Sequence, residues 1–414
     1  MGYSMKYRQR WKRLAMISAG VSALFCWWVI HRTIPIRIYS RQQSARNIEL
    51  KSSDVLPPTT VPTGLNEPTP KVIQYSKPAP TTTPKKKPLI LYWGTSYDDA
   101  GLGAECSVTY DQSRLPEADA VLFHFTKIGK NDIPWRHYRD KHQIFVWWCA
   151  EAPANFGREA LLEFDGGFFN WTWTYMRSAD AHRTYGFRKA ALDFVTKGNQ
   201  TVNDIISHKK KMALWGVSHC GGSIGANKRM EYYKALVAAG LEVTAYGGCF
   251  PGSENIPRPF PMLFEPKWKE HKFYFAFENA IHCRDYITEK FWDNALKNDM
   301  VPVVWGPTKE DVLSVAPLDS FIHTDDFDSP AKLAEYLQFL DKNDDEYRKY
   351  FRWREDETMT DEKMIRMTQE KYPNITVEGT PINLCKRLIE NQETKIIDSL
   401  NAQFILSEQD KCLI

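Results

Sequence analysis

At 414 residues, 25% charged and with a formal net charge of +3, the chain has room for two domains plus tails. Its charge is too evenly balanced to leave a nucleic-acid footprint. Its eight cysteines include no CxxC pair, which argues against a zinc site, and its 14 Trp and 19 Tyr suit a large core by default and sugar-handling clefts as well.

Lys6, Arg8, Arg10, Lys12 and Arg13 precede an apolar run over 14–30, at the short end for a membrane span. His31, Arg32 and Pro35 follow it instead of a small-residue cleavage site, so the run reads as a transmembrane signal anchor behind a cytoplasmic tail over 1–13. Arg32, Arg37 and Arg41 weaken the charge asymmetry, yet the basic N-terminus still sets a type II orientation. A short span fits the thinner membranes of the early secretory route. Residues 31–88, with PPTTVPTG and KPAPTTTPKKKP, cannot bury a core and read as a disordered stem. The rest would be lumenal, where disulfides persist. Seven cysteines lie there (Cys106, Cys149, Cys220, Cys249, Cys283, Cys385 and Cys412), an odd number, so at least one stays free or pairs between chains. A homodimer is left open. Sequons stand at Asn170, Asn199 and Asn374; polar surroundings leave the last two as N-glycosylation candidates, whereas Phe168, Phe169, Trp171 and Trp173 predict a buried Asn170.

From Pro88 on, strand and helix signals alternate. Pro88–Trp93, Ala120–Phe125 and Gln143–Trp148 read as strands of a first α/β domain over 89–207. Met212–Ser218 opens a second over 208–360, continued by a helix Met230–Ala239 and a strand Leu241–Tyr246. Ser320–His323 reads as a further strand, Pro330–Arg354 as an amphipathic helix, and 361–414 as a helical extension packing back. Without GxGxxG or a P-loop, ordinary dinucleotide and P-loop nucleotide folds are disfavoured.

The most informative stretch is HKFYFAFENAIHCRDYITEKFWDNALKNDMVPVVWGP, from His271 to Pro307. Phe273–Phe277 and Met300–Trp305 are apolar on both faces, as in buried parallel strands, and flank a helix carrying Ile287, Phe291, Trp292, Ala295 and Leu296. Such a βαβ unit binds ligands at the carboxyl ends of its strands. Asp285 is a plausible N-cap, which places Glu289 and Lys290 in or near the first turn. The helix dipole opposes a lysine there unless an anion lies close, and a phosphate would supply one.

These residues resemble the FEN…DYITEK…NAL…VPVV-GP motif of the α1,3/1,4-fucosyltransferase family, glycosyltransferase family 10. The resemblance runs from about Cys106 to Arg354 and includes Val146–Pro153, Phe169–Thr172, Tyr185–Gly186, Ser320–Phe327 and Tyr350–Arg354. It implies the GT-B fold, two Rossmann-like domains facing a cleft, and makes the anion the diphosphate of GDP-fucose. Transfer from GDP-β-L-fucose to an α-linkage inverts the anomeric carbon, which requires a base on the acceptor side and charge stabilisation on the leaving side. The family's base falls on Glu151, just past a buried strand. Arg229, Asn279, Tyr286 and Lys290 become donor-binding candidates, and Glu289 a partner for fucose or ribose hydroxyls that favours positive charge at the anomeric carbon. Glu278 reads as structural, capping backbone N–H groups. Asp325 and Asp326 are weak grounds for a metal, and the family mechanism uses no DxD motif, so no cofactor is expected and a divalent metal is at most stimulatory.

The chain departs from the family pattern at His219, Glu231, Asp311-Val312, Phe125-Thr126 and a one-residue insertion that brings in Cys283. The reading is a Golgi-membrane enzyme moving fucose from GDP-fucose to GlcNAc of LacNAc-type glycans on glycoproteins or glycolipids. The rivals are a core α1,3-fucosyltransferase acting on the Asn-linked GlcNAc and a non-catalytic glycan-binding descendant.

Overall fold

The computed structural model describes residues 87–94, 102–126, 128, 142–196, 200–251, 253, 266–390, 395–406 and 412. The expected tail, anchor and stem and the sequon at Asn199 lie outside the described residues. No helix among the described residues is long and apolar enough to cross a membrane. From Thr82 onward the chain forms one compact unit.

That unit holds two sheets. The first contains β1 (Leu89–Trp93), β2 (Ser107–Thr109), β3 (Ala120–His124), β4 (Ile144–Cys149), β5 (Trp171–Thr174) and β6 (Ala181–His182), in the order β2-β1-β3-β4-β5-β6. The second contains β7 (Lys211–Gly216), β8 (Val243–Tyr246), β9 (His271–Phe277), β10 (Val301–Trp305) and β11 (Ile322–His323), in the order β11-β10-β9-β7-β8. Every pairing in both sheets is parallel. Parallel strands are covered on both faces, so their apolar runs are unbroken. In β4, Phe145 and Trp147 enter one core with Phe123, Phe168 and Phe169, while Val146 and Trp148 enter another with Tyr92 and Trp173. Lys272 sits inside the fully buried β9 because its stem lies along the sheet and its ammonium reaches the Asp341 carbonyl at 2.6 Å and Asp344 at 3.0 Å.

Several local expectations change. The helix expected over Pro330–Arg354 is broken: Pro330–Asp341 ends where the Asn343 side chain donates to the Phe339 carbonyl, and Asp344–Arg348 starts afresh. Asp285 is not an N-cap. Its backbone is left-handed, φ 65°, and its carboxylate accepts from the Arg177 backbone N–H and guanidinium. The turn it was expected to cap is a π-helix beginning at Lys290. Asn170 is buried as expected; its side chain accepts from the Phe145 N–H and donates to the Lys395 carbonyl. Asn374 is exposed in a turn.

Among the described residues six cysteines pair as Cys106–Cys385, Cys220–Cys249 and Cys283–Cys412, and Cys149 is a buried free thiol. After residue 361 the chain packs back onto both sheets: Met364 joins a core of the second, Leu384 and Leu388 join one core of the first, and Leu400, Phe404 and Ile405 the other.

Candidate active site

The carboxyl ends of β3 and β4 face those of β7 and β9 across a cavity of about 760 Å3. Phe125, Glu151, Asn155 and Phe156 line one wall, and His219, Gly222, Ser223, Asn279 and Ala280 the other. Strand ends carry such sites because loops there can converge while the sheets stay rigid.

On the first wall, β4 ends at Cys149, and the turn carrying Glu151 is pinned from several sides. The Glu151 N–H bonds the Cys149 sulfur at 3.3 Å, and the Tyr185 hydroxyl donates to the Ala150 carbonyl at 2.7 Å. Pro153 starts a 3-10 turn whose last residue, Asn155, folds back so that its amide donates to Glu151 Oε2 at 2.9 Å. The hydroxyl of Tyr286, from the loop after β9, donates to the same oxygen at 3.3 Å. No donor among the described residues reaches Oε1.

On the second wall, Ser223 caps the helix Ile224–Ala238, accepting from the Ala226 N–H at 3.2 Å and donating to the Asn279 carbonyl at 3.4 Å. Ile224, Gly225 and Asn227 of the first turn line the cavity, so it lies at the positive end of this helix. Gly225 is obligatory here, since a Cβ would lie 2.3 Å from the Asn279 carbonyl oxygen. Asn279 Oδ1 is buried without a partner among the described residues, a polar atom suited to a ligand.

Arg229 lies in the second turn of its helix, not at its start, and is buried. Its guanidinium bonds the Phe277 carbonyl at 2.9 Å and the His219 carbonyl at 2.7 Å, joining the ends of β9 and β7. Burial lowers its pKa, and the negative charge of Glu278 opposes that shift. Glu278 closes β9 as a structural group: Oε1 accepts from the Thr288 N–H at 2.9 Å and hydroxyl at 2.7 Å. Lys290 Nζ lies 3.0 Å from Glu278 and 3.1 Å from Glu289. Two protein carboxylates thus lie beside this lysine. Burial works against charging all three groups. The two carboxylates nevertheless hold the Lys290 ammonium above its ordinary range, and Lys290 in turn holds Glu289 below its own. Burial raises the pKa of Glu278.

The structure thus brings Glu151 and Asn279 to the cavity, buries Tyr286 in the first-sheet core with its hydroxyl on Glu151, and sets Glu289, Lys290 and Arg229 around the end of β9. Sequence reasoning overlooked Asn155 and Ser223. Asn155, four residues past Glu151 behind a proline, was legible as a residue that turns back; Ser223, just before a helix, was legible as a cap. Asp325 and Asp326 lie apart, near His323 and paired with Lys309 respectively.

Residues 206–403 match the family described as "Glycosyltransferase family 10 (fucosyltransferase) C-term", and residues 85–186 match "Fucosyltransferase, N-terminal". A chimpanzee (Pan troglodytes) protein, 4-galactosyl-N-acetylglucosaminide 3-alpha-L-fucosyltransferase FUT6, is 38% identical over 257 residues, covering 61% of this chain and 66% of that one. A cattle (Bos taurus) protein, 3-galactosyl-N-acetylglucosaminide 4-alpha-L-fucosyltransferase FUT3, is 38% identical over 256 residues, covering 61% and 65%. The chain therefore spans just under two thirds of the length of either relative. A crystal structure of an alpha1,3-fucosyltransferase with GDP-fucose aligns at a TM-score of 0.43 and 15% identity, over 74% of this chain and 96% of that one.

Proposed function

Since the chain belongs to glycosyltransferase family 10, we propose that it is an inverting α1,3-fucosyltransferase moving L-fucose from GDP-β-L-fucose to GlcNAc of LacNAc-type glycans on glycoproteins or glycolipids. The observation that carries this reading is the placement of Glu151 at a strand end, its Oε1 without a protein donor among the described residues, across one cavity from the donor wall. Two parallel sheets meeting at their carboxyl ends are what a GT-B enzyme needs.

In this reading Glu151 takes the proton of the acceptor hydroxyl as that oxygen bonds the anomeric carbon. The bond from that carbon to the β-phosphate oxygen breaks on the opposite face, and GDP leaves with the electron pair. Arg229, Lys290 and the N-terminus of the helix Ile224–Ala238 offset the charge on the diphosphate. Asn279 bonds phosphate or sugar, and Glu289 accepts from ribose or fucose hydroxyls and favours positive charge at the anomeric carbon. With this positive charge built into the protein, a divalent metal is at most stimulatory. Three disulfides suit an oxidising lumen and so support the type II Golgi arrangement read from the N-terminus, with the soluble body facing the acceptors.

Glu151→Gln keeps the shape of the base and removes its basicity. Transfer should fall by at least about 100-fold while GDP affinity, measured by calorimetry, stays within roughly twofold. Full activity in this variant would remove Glu151 from the reaction. Running the same assay on LacNAc and on a trimannosyl core without galactose separates the proposed acceptor from the Asn-linked GlcNAc.

A further inference from the structure

We propose that Tyr286 and Asn155 are positioning residues for the base: both hold Glu151 Oε2, Asn155 from the turn after Pro153 and Tyr286 from the loop after β9, so that Oε1 alone takes the acceptor proton. This rests on Glu151 being the base.

A carboxylate on a single side chain can rotate, and its two oxygens are chemically equal until something distinguishes them. Here the Asn155 amide at 2.9 Å and the Tyr286 hydroxyl at 3.3 Å converge on one oxygen. Asn155 is fixed by the 3-10 turn that Pro153 begins. Tyr286 is 3% exposed, and its ring packs against Tyr175 and Tyr185 at centroid distances of 5.1 and 6.4 Å. A tyrosine hydroxyl lies on the ring axis, so a ring held by its neighbours gives that oxygen a fixed position even when the ring flips. Tyr286 comes from the donor loop, yet it is buried in the core of the first sheet with Phe145, Trp147 and Cys149. Its hydroxyl is thereby held against Glu151 Oε2.

Among the described residues the titratable groups beside the carboxylate include Tyr286, Tyr185 and the Cys149 thiol, with His219 on the far wall, and the charges of Glu278 and Glu289 reach this cluster. Burial pushes both phenols and the thiol up, so all three stay neutral and the phenol of Tyr286 remains a donor.

The test compares Tyr286→Phe, Asn155→Ala and Glu151→Gln in the soluble lumenal chain. Each is assayed for kcat, for both KM values, for the pH–rate profile and for GDP affinity by calorimetry. Tyr286→Phe keeps the packed ring and should fold. It should lower kcat by about 10- to 100-fold, leave GDP affinity within roughly twofold, and move the acid limb of the profile to higher pH. That direction follows because a lost donor makes the carboxylate easier to protonate. Asn155→Ala should act the same way. A tenfold loss of GDP affinity with an unmoved profile would make Tyr286 a phosphate donor and overturn the proposal. So would an unchanged kcat in both variants while Glu151→Gln is inactive. Activity in Glu151→Gln would instead overturn the assignment of the base.

Discussion

The ammonium of Lys290 lies between Glu278, 2% exposed, and Glu289, and is itself 16% exposed. Removing it does two separable things: it takes a positive charge from the end of β9, and it leaves Glu278 without its counter-charge. Breaking a buried pair from one side costs about 3–5 kcal/mol, mostly through the carboxylate left behind. Lys290→Met should therefore lose stability on that order in urea denaturation and weaken GDP binding. Adding Glu278→Gln should recover much of the stability and none of the affinity. Recovery of both would show that Lys290 matters to GDP only through the fold. The sequence pointed to an anion beside this lysine, but it did not separate a ligand from Glu278, twelve positions earlier, because the loop between them has no regular period.

At the scale of the element, the loop from Glu278 to Glu289 belongs to both halves of the molecule. It leaves β9 of the second sheet, yet Ala280, Cys283 and Tyr286 are buried in the core of the first. Gly225 and Gly306 let it pass, since a Cβ at Gly306 would lie 2.8 Å from the Ala280 carbonyl oxygen. His282 and Asp285 hold left-handed backbone at φ 51° and 65°, a conformation that non-glycine residues keep only when their surroundings enforce it. The Cys283–Cys412 bond ties the loop to the end of the chain, which gives the inserted cysteine a role. Cys283→Ser should loosen a segment three residues before Tyr286. It should weaken GDP binding by several-fold and lower stability by roughly 2–5 kcal/mol, with Cys412→Ser matching it. Different losses from the two variants would mean that the thiols, not their bond, set the loop. Strand, polar turn, helix and strand were readable from apolar runs. The path of the turn was not, because neither left-handed residue is a glycine and nothing local marks it.

For the whole molecule, Arg177 is the residue on which the two halves meet behind the cleft. Placed just past β5 of the first sheet, it bonds Asp285 of the donor loop, Asp311 of the helix Lys309–Val315, and Glu378 of the C-terminal extension. Asp285 and Asp311 are 6% and 8% exposed, and burial, then the charge of Asp285, raises the pKa of Asp311. Arg177→Met leaves those two carboxylates facing each other and should cost about 3–5 kcal/mol. Asp311→Asn should stay within about 1 kcal/mol of the parent, because it removes the charge that burial already disfavours. Equal losses in thermal unfolding would show that the ion pair itself, not relief of the facing carboxylates, holds the halves together.

From its sequence alone this chain determined its class, its repeated buried strands and its family motif, because unbroken apolar runs and a long irregular motif are properties of adjacent residues. It also placed Glu151 and Asn279 at strand ends, where a parallel sheet must present them. Only the tertiary structure decided that Arg229 braces two carbonyls, that Lys290 is answered by Glu278, and that Tyr286 reaches Glu151. Arg177 and Asp285 are 108 positions apart, and Tyr286 and Glu151 135. Such contacts depend on how two sheets close on one another, and no local period, propensity or cap carries that information.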